Sequence, residues 1–178
     1  MKIFARMRSV FFTLSNKLRF GRKLQMNGIQ GLRSDTEIVI KNGQIRMDKD
    51  VAVYQRVSLT AVAGGILSIG QRTSFNRNCI IICREKIQIG ENCMFGPNVL
   101  IYDHDHVFNA QGYQPGFRKG EVVIGKGCWI GAGVTILRGT HIGEGCVIGA
   151  GTVVKGEIPP YSLVTADRGM KIASLRDS

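Results

Sequence analysis

The chain has 178 residues, enough for one domain with a real core rather than two. Its 44% hydrophobic content excludes a disordered chain, and 23 glycines beside only 7% aromatics favour a turn-rich fold of small residues over a bulky helical core. A formal net charge of +11 calls for an acidic partner: nucleic acid, an anionic membrane surface or a phosphorylated ligand.

Residues 1–35 read as a basic amphipathic helical segment. Lys2, Arg6, Arg8, Lys17, Arg19, Arg22 and Lys23 fall within the first 23 residues, with no acid among them. Ile3, Phe4, Met7, Val10, Phe11, Leu14 and Leu18 trace one face of a helix, and the opposite face is expected to be basic. Two readings stay open: an interfacial helix on an anionic membrane through residues 1–23, or a helix capping the rest of the fold or packing on a neighbouring subunit. The stretch from Val10 to Leu14 contains Thr13 and no small-residue cleavage site follows, so a signal peptide is not expected. No apolar run approaches the roughly 18 residues of a membrane span. The positive charge concentrates at this end without an aromatic and basic stacking platform, which argues against nucleic acid.

A period of six follows. It is weak through Val39, Ile45, Val51 and Val57, and clearer through Ile69, Phe75 and Ile81. It slips a phase over Cys83 to Ile87, then resumes at Ile89, Phe95 and Ile101. It is nearly perfect from Ile124 through Ile130, Ile136, Ile142 and Ile148 to Val154. The second slot of the unit holds Cys128, Val134, Thr140, Cys146, Thr152 and Ile158, and glycines fill two further places. A period of six is neither that of a helix nor that of a hairpin. It fits a short strand and a tight turn, three per triangular coil, with coils stacked at about 4.8 Å. The fold expected is therefore an all-β parallel β-helix over residues 36–172, about six coils high, with a tail at 173–178.

Between Ile101 and Ile124 the repeat breaks into a protruding loop, residues 102–121. It opens with Asp103-His104-Asp105-His106, which holds two of the three histidines. A stack of regular coils has no packing need for such an excursion, and loops on rigid scaffolds often carry function. Histidine suits general-base chemistry because it titrates at about 6.5, and a neighbouring carboxylate such as Asp103 or Asp105 can fix its tautomer. Four of the five cysteines (Cys79, Cys93, Cys128 and Cys146) fall in inward slots and read as core fillers; Cys83 lies at the phase slip and is ambiguous. An odd count without a CxxC pair suggests neither a disulfide framework nor a thiolate zinc site, and free thiols point to the cytoplasm. His141 follows an inward Thr140 and should point outward, as should Trp129.

The repeat resembles the hexapeptide-repeat family, whose members form left-handed parallel β-helices. Gly96-Pro97-Asn98-Val99, the loop, and Ile124-Gly125-Lys126-Gly127-Cys128-Trp129-Ile130-Gly131 are similar to its sugar O-acetyltransferase branch, the galactoside, maltose and capsular or exopolysaccharide acetyltransferases. The resemblance implies a homotrimer with sites between prisms, acetyl-CoA as co-substrate, and a sugar or glycan acceptor. It implies one catalytic histidine at a fixed distance after Pro-Asn-Val, which is His106, with His104 as the second candidate. The family commonly has proline after that histidine; this chain has Val107. For the coenzyme the resemblance points to Ala132, Ala150 and Lys155, and Arg168 and Lys171 stand where the adenine end is met; Trp129, in its outward slot beside that groove, either lines the donor site or covers an intersubunit seam. No metal is implied. Such an enzyme would be cytoplasmic, or peripheral at the inner face of the membrane if the first helix binds lipid.

Two other readings use the same prism. A γ-class carbonic anhydrase needs three histidine ligands on zinc, and His104, His106 and His141 do not match that spacing. A non-catalytic scaffold leaves the paired histidines without a role. Serine acetyltransferases are a further relative, but they carry a large helical domain for which roughly 35 leading residues are too few.

Overall fold

The computed structural model describes residues 2–28 and 30–166. Arg168, Lys171 and the tail at 173–178 lie outside the described residues. Helix α1 (Lys2–Phe20) and one 3-10 turn (Gly21–Lys23) lead into three parallel sheets that the chain visits in rotation. Sheet A has seven strands, from Leu24–Met26 to Glu157–Ile158, and sheet B has seven, from Gly31–Leu32 to Leu163–Val164. Sheet C has six, from Glu37–Lys41 to Val153–Val154. Six complete coils and two strands of a seventh make up the prism. The first coil starts at Leu24, ahead of the boundary expected at residue 36. Leu24, Gln25 and Met26 pair with Ile45, Arg46 and Met47, although no hexapeptide signature marks them.

The six-residue period is the spacing from one prism edge to the next. Each leading aliphatic points inward and stacks on its counterpart one coil away. In sheet B, Leu32 lies over Val53, Val53 over Phe75, Phe75 over Phe95 and Phe95 over Ile130. The Phe75 and Phe95 rings stack with centroids 4.7 Å apart. The small second slot has a polar use as well as a steric one. Thr73 Oγ1 donates to Gly90 O at 2.8 Å. Above it the thiols of Cys93, Cys128 and Cys146 reach Gly125 O, Gly143 O and Pro159 O, each at 3.1 Å. Each small side chain thus satisfies a turn carbonyl of the next coil that the sheet ladder leaves free.

The two glycine places have different causes. At Gly131 a Cβ would sit 2.7 Å from Ala150 N, so glycine there permits close stacking of coils. At Gly133 space is open but φ is +66°, the left-handed region that glycine enters without penalty.

The phase slip at Cys83 is a corner between sheet C strand Ile80–Cys83 and sheet A strand Lys86–Ile89. Cys83 is buried there, which settles its ambiguity in favour of core packing. Helix α1 contacts the first strands of sheets A and B and so caps one end of the prism. Its docked side is not basic: Thr13 and Asn16 are buried, Phe12 and Phe20 pack on the core, and Ser9 Oγ donates to Gln30 O at 2.5 Å.

Candidate active site

The break in the repeat is an ordered hairpin rather than an irregular loop. Strands His104–Asn109 and Gly112–Lys119 pair antiparallel, with a register shift between His106 and Val107. It projects from the edge where sheet C passes to sheet A in the fourth coil. Its base is closed by Gly120 N–H donating to Asp103 O at 2.9 Å. A second tie is the ion pair of Arg138 Nε with Asp105 Oδ2 at 2.5 Å, which joins the hairpin to the coil above.

Asp103 anchors the site. Its side chain is fully buried and occupies the inward place at the corner. The carboxylate accepts Arg84 N–H at 2.9 and 3.0 Å and Glu85 N–H at 2.7 Å, two corner donors that no strand satisfies. It also meets His104 Nδ1 at 3.0 Å. A carboxylate offers only acceptors, so this contact places the His104 proton on Nδ1 and leaves Nε2 as the acceptor. The His104 side chain is 11% exposed. Asp105 orients neither histidine; its partner is Arg138.

His104 and His106 are two residues apart on one strand and share a face. Both lean on Phe117, with centroids at 5.4 and 4.7 Å. His106 also meets the edge of Tyr113 at 5.2 Å and is exposed to solvent. The Arg84 guanidinium lies over Phe117, 3.7 Å from the ring centroid, a cation–π contact. Phe117, Tyr113 and Arg84 were not legible as site residues. Phe117 lies opposite His106 only through the hairpin register, and Arg84 reaches it from the preceding coil.

The remaining chemistry is quiet. All five cysteines are buried and unpaired. Burial pushes the Cys79 thiol up to about 11; burial and then the nearby Asp103 push Cys83 up as well. Neither supplies a thiolate nucleophile near neutral pH. His141 points outward, 2.9 Å from Glu157 and 3.8 Å from Glu121. Among the described residues no group of three metal-ligating side chains is gathered, and no helix is long and apolar enough to cross a membrane.

Residues 121–156 match the bacterial transferase hexapeptide family, described by six repeats. The putative lipopolysaccharide biosynthesis O-acetyl transferase WbbJ of Escherichia coli (strain K12) is 30% identical over 133 residues, covering 69% of this chain and 68% of that protein. The chain belongs to the hexapeptide-repeat transferase family. Nodulation protein L of Rhizobium meliloti (strain 1021) is 45% identical over 95 residues, and the chain spans about half of that relative, 52% of its length. A hexapeptide-repeat acetyltransferase from Vibrio cholerae O1 biovar eltor, solved with acetyl-coenzyme A, has a TM-score of 0.60 at 20% identity, covering 97% of this chain and 87% of that one. The common fold is the left-handed parallel β-helix.

In this hexapeptide-repeat chain the expected groove residues lie on different edges of the prism. Ala132 and Ala150 are exposed and stacked at the edge between sheets B and C, tied by Gly151 N–H to Ala132 O at 2.8 Å. Trp129 points outward from sheet B, 54% exposed, above the equally open Met94. Lys155 is exposed on the same edge as the hairpin, two coils further on. One chain therefore brings His104, His106 and Asp103 together, and leaves Ala132, Ala150 and Trp129 on other surfaces.

Proposed function

We propose that this chain is an acetyl-CoA-dependent O-acetyltransferase whose acceptor is a hydroxyl of a sugar or polysaccharide precursor. The observation that carries the reading is the hairpin: two histidines on one face, framed by aromatic rings and anchored by a buried carboxylate. A relative named as a lipopolysaccharide O-acetyl transferase and a like-folded protein holding acetyl-coenzyme A support it. The split of the expected groove residues over two edges supports a homotrimer, in which one subunit's hairpin faces another's edge between sheets B and C. The exposed apolar side chains on sheets B and C (Met94, Trp129 and Val153) support those faces as the ones covered. Five buried, unpaired thiols support the cytoplasm.

His106 is the base in this reading. It is the exposed histidine, and its contacts among the described residues are ring contacts with Tyr113 and Phe117. His104 has committed Nδ1 to Asp103 and is nearly buried, so it holds the hairpin's geometry. His106 removes the acceptor hydroxyl proton and the oxygen attacks the thioester carbonyl. Backbone N–H groups stabilise the tetrahedral oxyanion. Coenzyme A leaves as the thiol, taking the proton back from the imidazolium. Holding both substrates in one groove supplies much of the rate.

The test is acetyl-CoA binding by calorimetry, together with acetyl transfer to a panel of sugars by mass spectrometry. His106→Ala should bind acetyl-CoA as the parent does and lose at least about 10²-fold in turnover. If turnover survives in His106→Ala and falls in His104→Ala, the roles are exchanged. Absence of acetyl-CoA binding in the parent overturns the reading.

A further inference from the structure

Helix α1 sits on the prism with the opposite side from the one its sequence would bury. Small and polar residues face the first coil: Ser9 bonds to Gln30, and Thr13 and Asn16 are 3% and 7% exposed. Phe12 and Phe20 pack on the core beside them, but four apolar residues of the face predicted from the sequence turn out. Met7 is 62%, Phe11 75%, Leu14 54% and Leu18 87% exposed. Their spacings of four, three and four place them in one stripe along the helix. An apolar stripe of this length left open on a water-facing helix marks a surface that something covers.

We propose that this stripe docks the protein on an anionic lipid bilayer. Charge selects the occupant. The first 34 residues carry eight Lys and Arg and no acid, whereas the remaining 144 are nearly balanced at sixteen basic and thirteen acidic. The excess positive charge of the whole protein is thus concentrated on the segment that bears the open apolar stripe. Arg19, Arg22 and Lys23 are exposed at the end of that segment. A second copy of the same helix would bring like charges together and is repelled. An anionic headgroup layer attracts those cations, while its acyl boundary receives Phe11 and Leu18.

Position on the fold agrees. The helix closes the end of the prism, so its outward face is the flat base of the molecule rather than a flank. The histidine hairpin leaves the fourth coil, three coils or about 15 Å above the first. A bilayer-docked protein would therefore hold its hairpin about 15 Å or more above the headgroup layer, within reach of a membrane-linked saccharide that extends from it. That last point rests on the proposed acetyl transfer; the docking itself does not.

The full-length protein is sedimented with phosphatidylcholine vesicles, with and without phosphatidylglycerol, and its mass is followed by light scattering. Binding to the anionic vesicles should exceed that to neutral ones by roughly tenfold or more and fall with salt. The Phe11→Ser, Leu18→Ser double variant should lose that binding at unchanged mass, circular dichroism and acetyl-CoA affinity. No preference for anionic vesicles overturns the proposal. So does full binding by the double variant. A change of mass in the double variant also overturns it and assigns the stripe to a second copy. Loss of acetyl transfer with vesicle binding intact would count against the catalytic reading alone.

Discussion

The coils before the hairpin and the coils after it reach the same corner geometry with different residues. After it, Gly127, Gly133, Gly139, Gly145, Gly151 and Gly156 take the left-handed corner places, φ +66° to +87°. Before it, the equivalent places hold Asn42, Asp50, Arg56, Ala63, Arg72, Asn78, Asn92 and Asn98, φ +53° to +61°. A side chain in that region costs about 1–2 kcal/mol, less for Asn and Asp. The early coils offset part of this by hydrogen bonds that climb the edges. Arg56 Nε donates to Asn78 Oδ1 at 2.8 Å, and Asn78 Nδ2 donates to Asn98 Oδ1 at 3.0 Å. On another edge Arg72 Nε donates to Asn92 Oδ1 at 2.8 Å. Among the described residues the late coils place a side chain there only at Tyr161, φ +59°, and otherwise avoid the strain; the early coils carry it and tie successive turns together. One backbone thus accepts two solutions, and only one of them reads as a glycine repeat.

The comparison breaks most severely at its seam. Asp103 lies where the early coils end, and Asp103→Ala leaves the Arg84 and Glu85 N–H groups without their acceptor. A loss of about 3 kcal/mol or more is expected in chemical denaturation, since each buried unsatisfied donor costs about 1–3 kcal/mol. Full stability in that variant would mean that the corner is satisfied in another way. Next comes the close-approach glycine that both halves share. Gly131→Ala places a methyl 2.7 Å from Ala150 N, and Gly65→Ala places one 2.5 Å from Cys83 O. Both should lose about 1–3 kcal/mol, by similar amounts, because the clash is with backbone in each half. The smallest effect sharpens the contrast itself. Gly133→Ala should cost about 1 kcal/mol, and Gly133→Asn less, since Asn tolerates the left-handed region and stands above Asn98 on the same edge. Thermal melts of the two variants check the order; a neutral Gly133→Ala would remove corner strain as the reason for the glycines.

This contrast also explains which parts of the fold were legible. The repeat was plain from Ile124 to Pro160, where most of both glycine places are filled, and faint before Ile69, where Asn42, Asp50, Arg56 and Ala63 hold the corners. The first coil was missed because Leu24-Gln25-Met26 carries neither glycine place and is held by pairing with residues 45–47. The hairpin was legible only as a protruding loop because its pairing joins residues up to fifteen apart, His104 with Lys119, and is bulged beside His106. The expectation for Asp105 failed for a similar reason: its partner Arg138 lies 33 residues away.

The sequence by itself determined the six-residue period, the inward columns, the burial of Cys79, Cys93, Cys128 and Cys146, and the outward place of His141. These follow from steric rules that act within a coil or between adjacent coils and repeat along the chain. Only the tertiary structure decided that Asp103 holds His104, that Phe117 and Arg84 frame the histidines, that the hairpin and the alanine corner lie on different edges, and that α1 turns its apolar stripe outward. Each of these depends on which backbone donors and surfaces the stacked coils leave open, and that is fixed only when coils far apart in sequence are laid one on another.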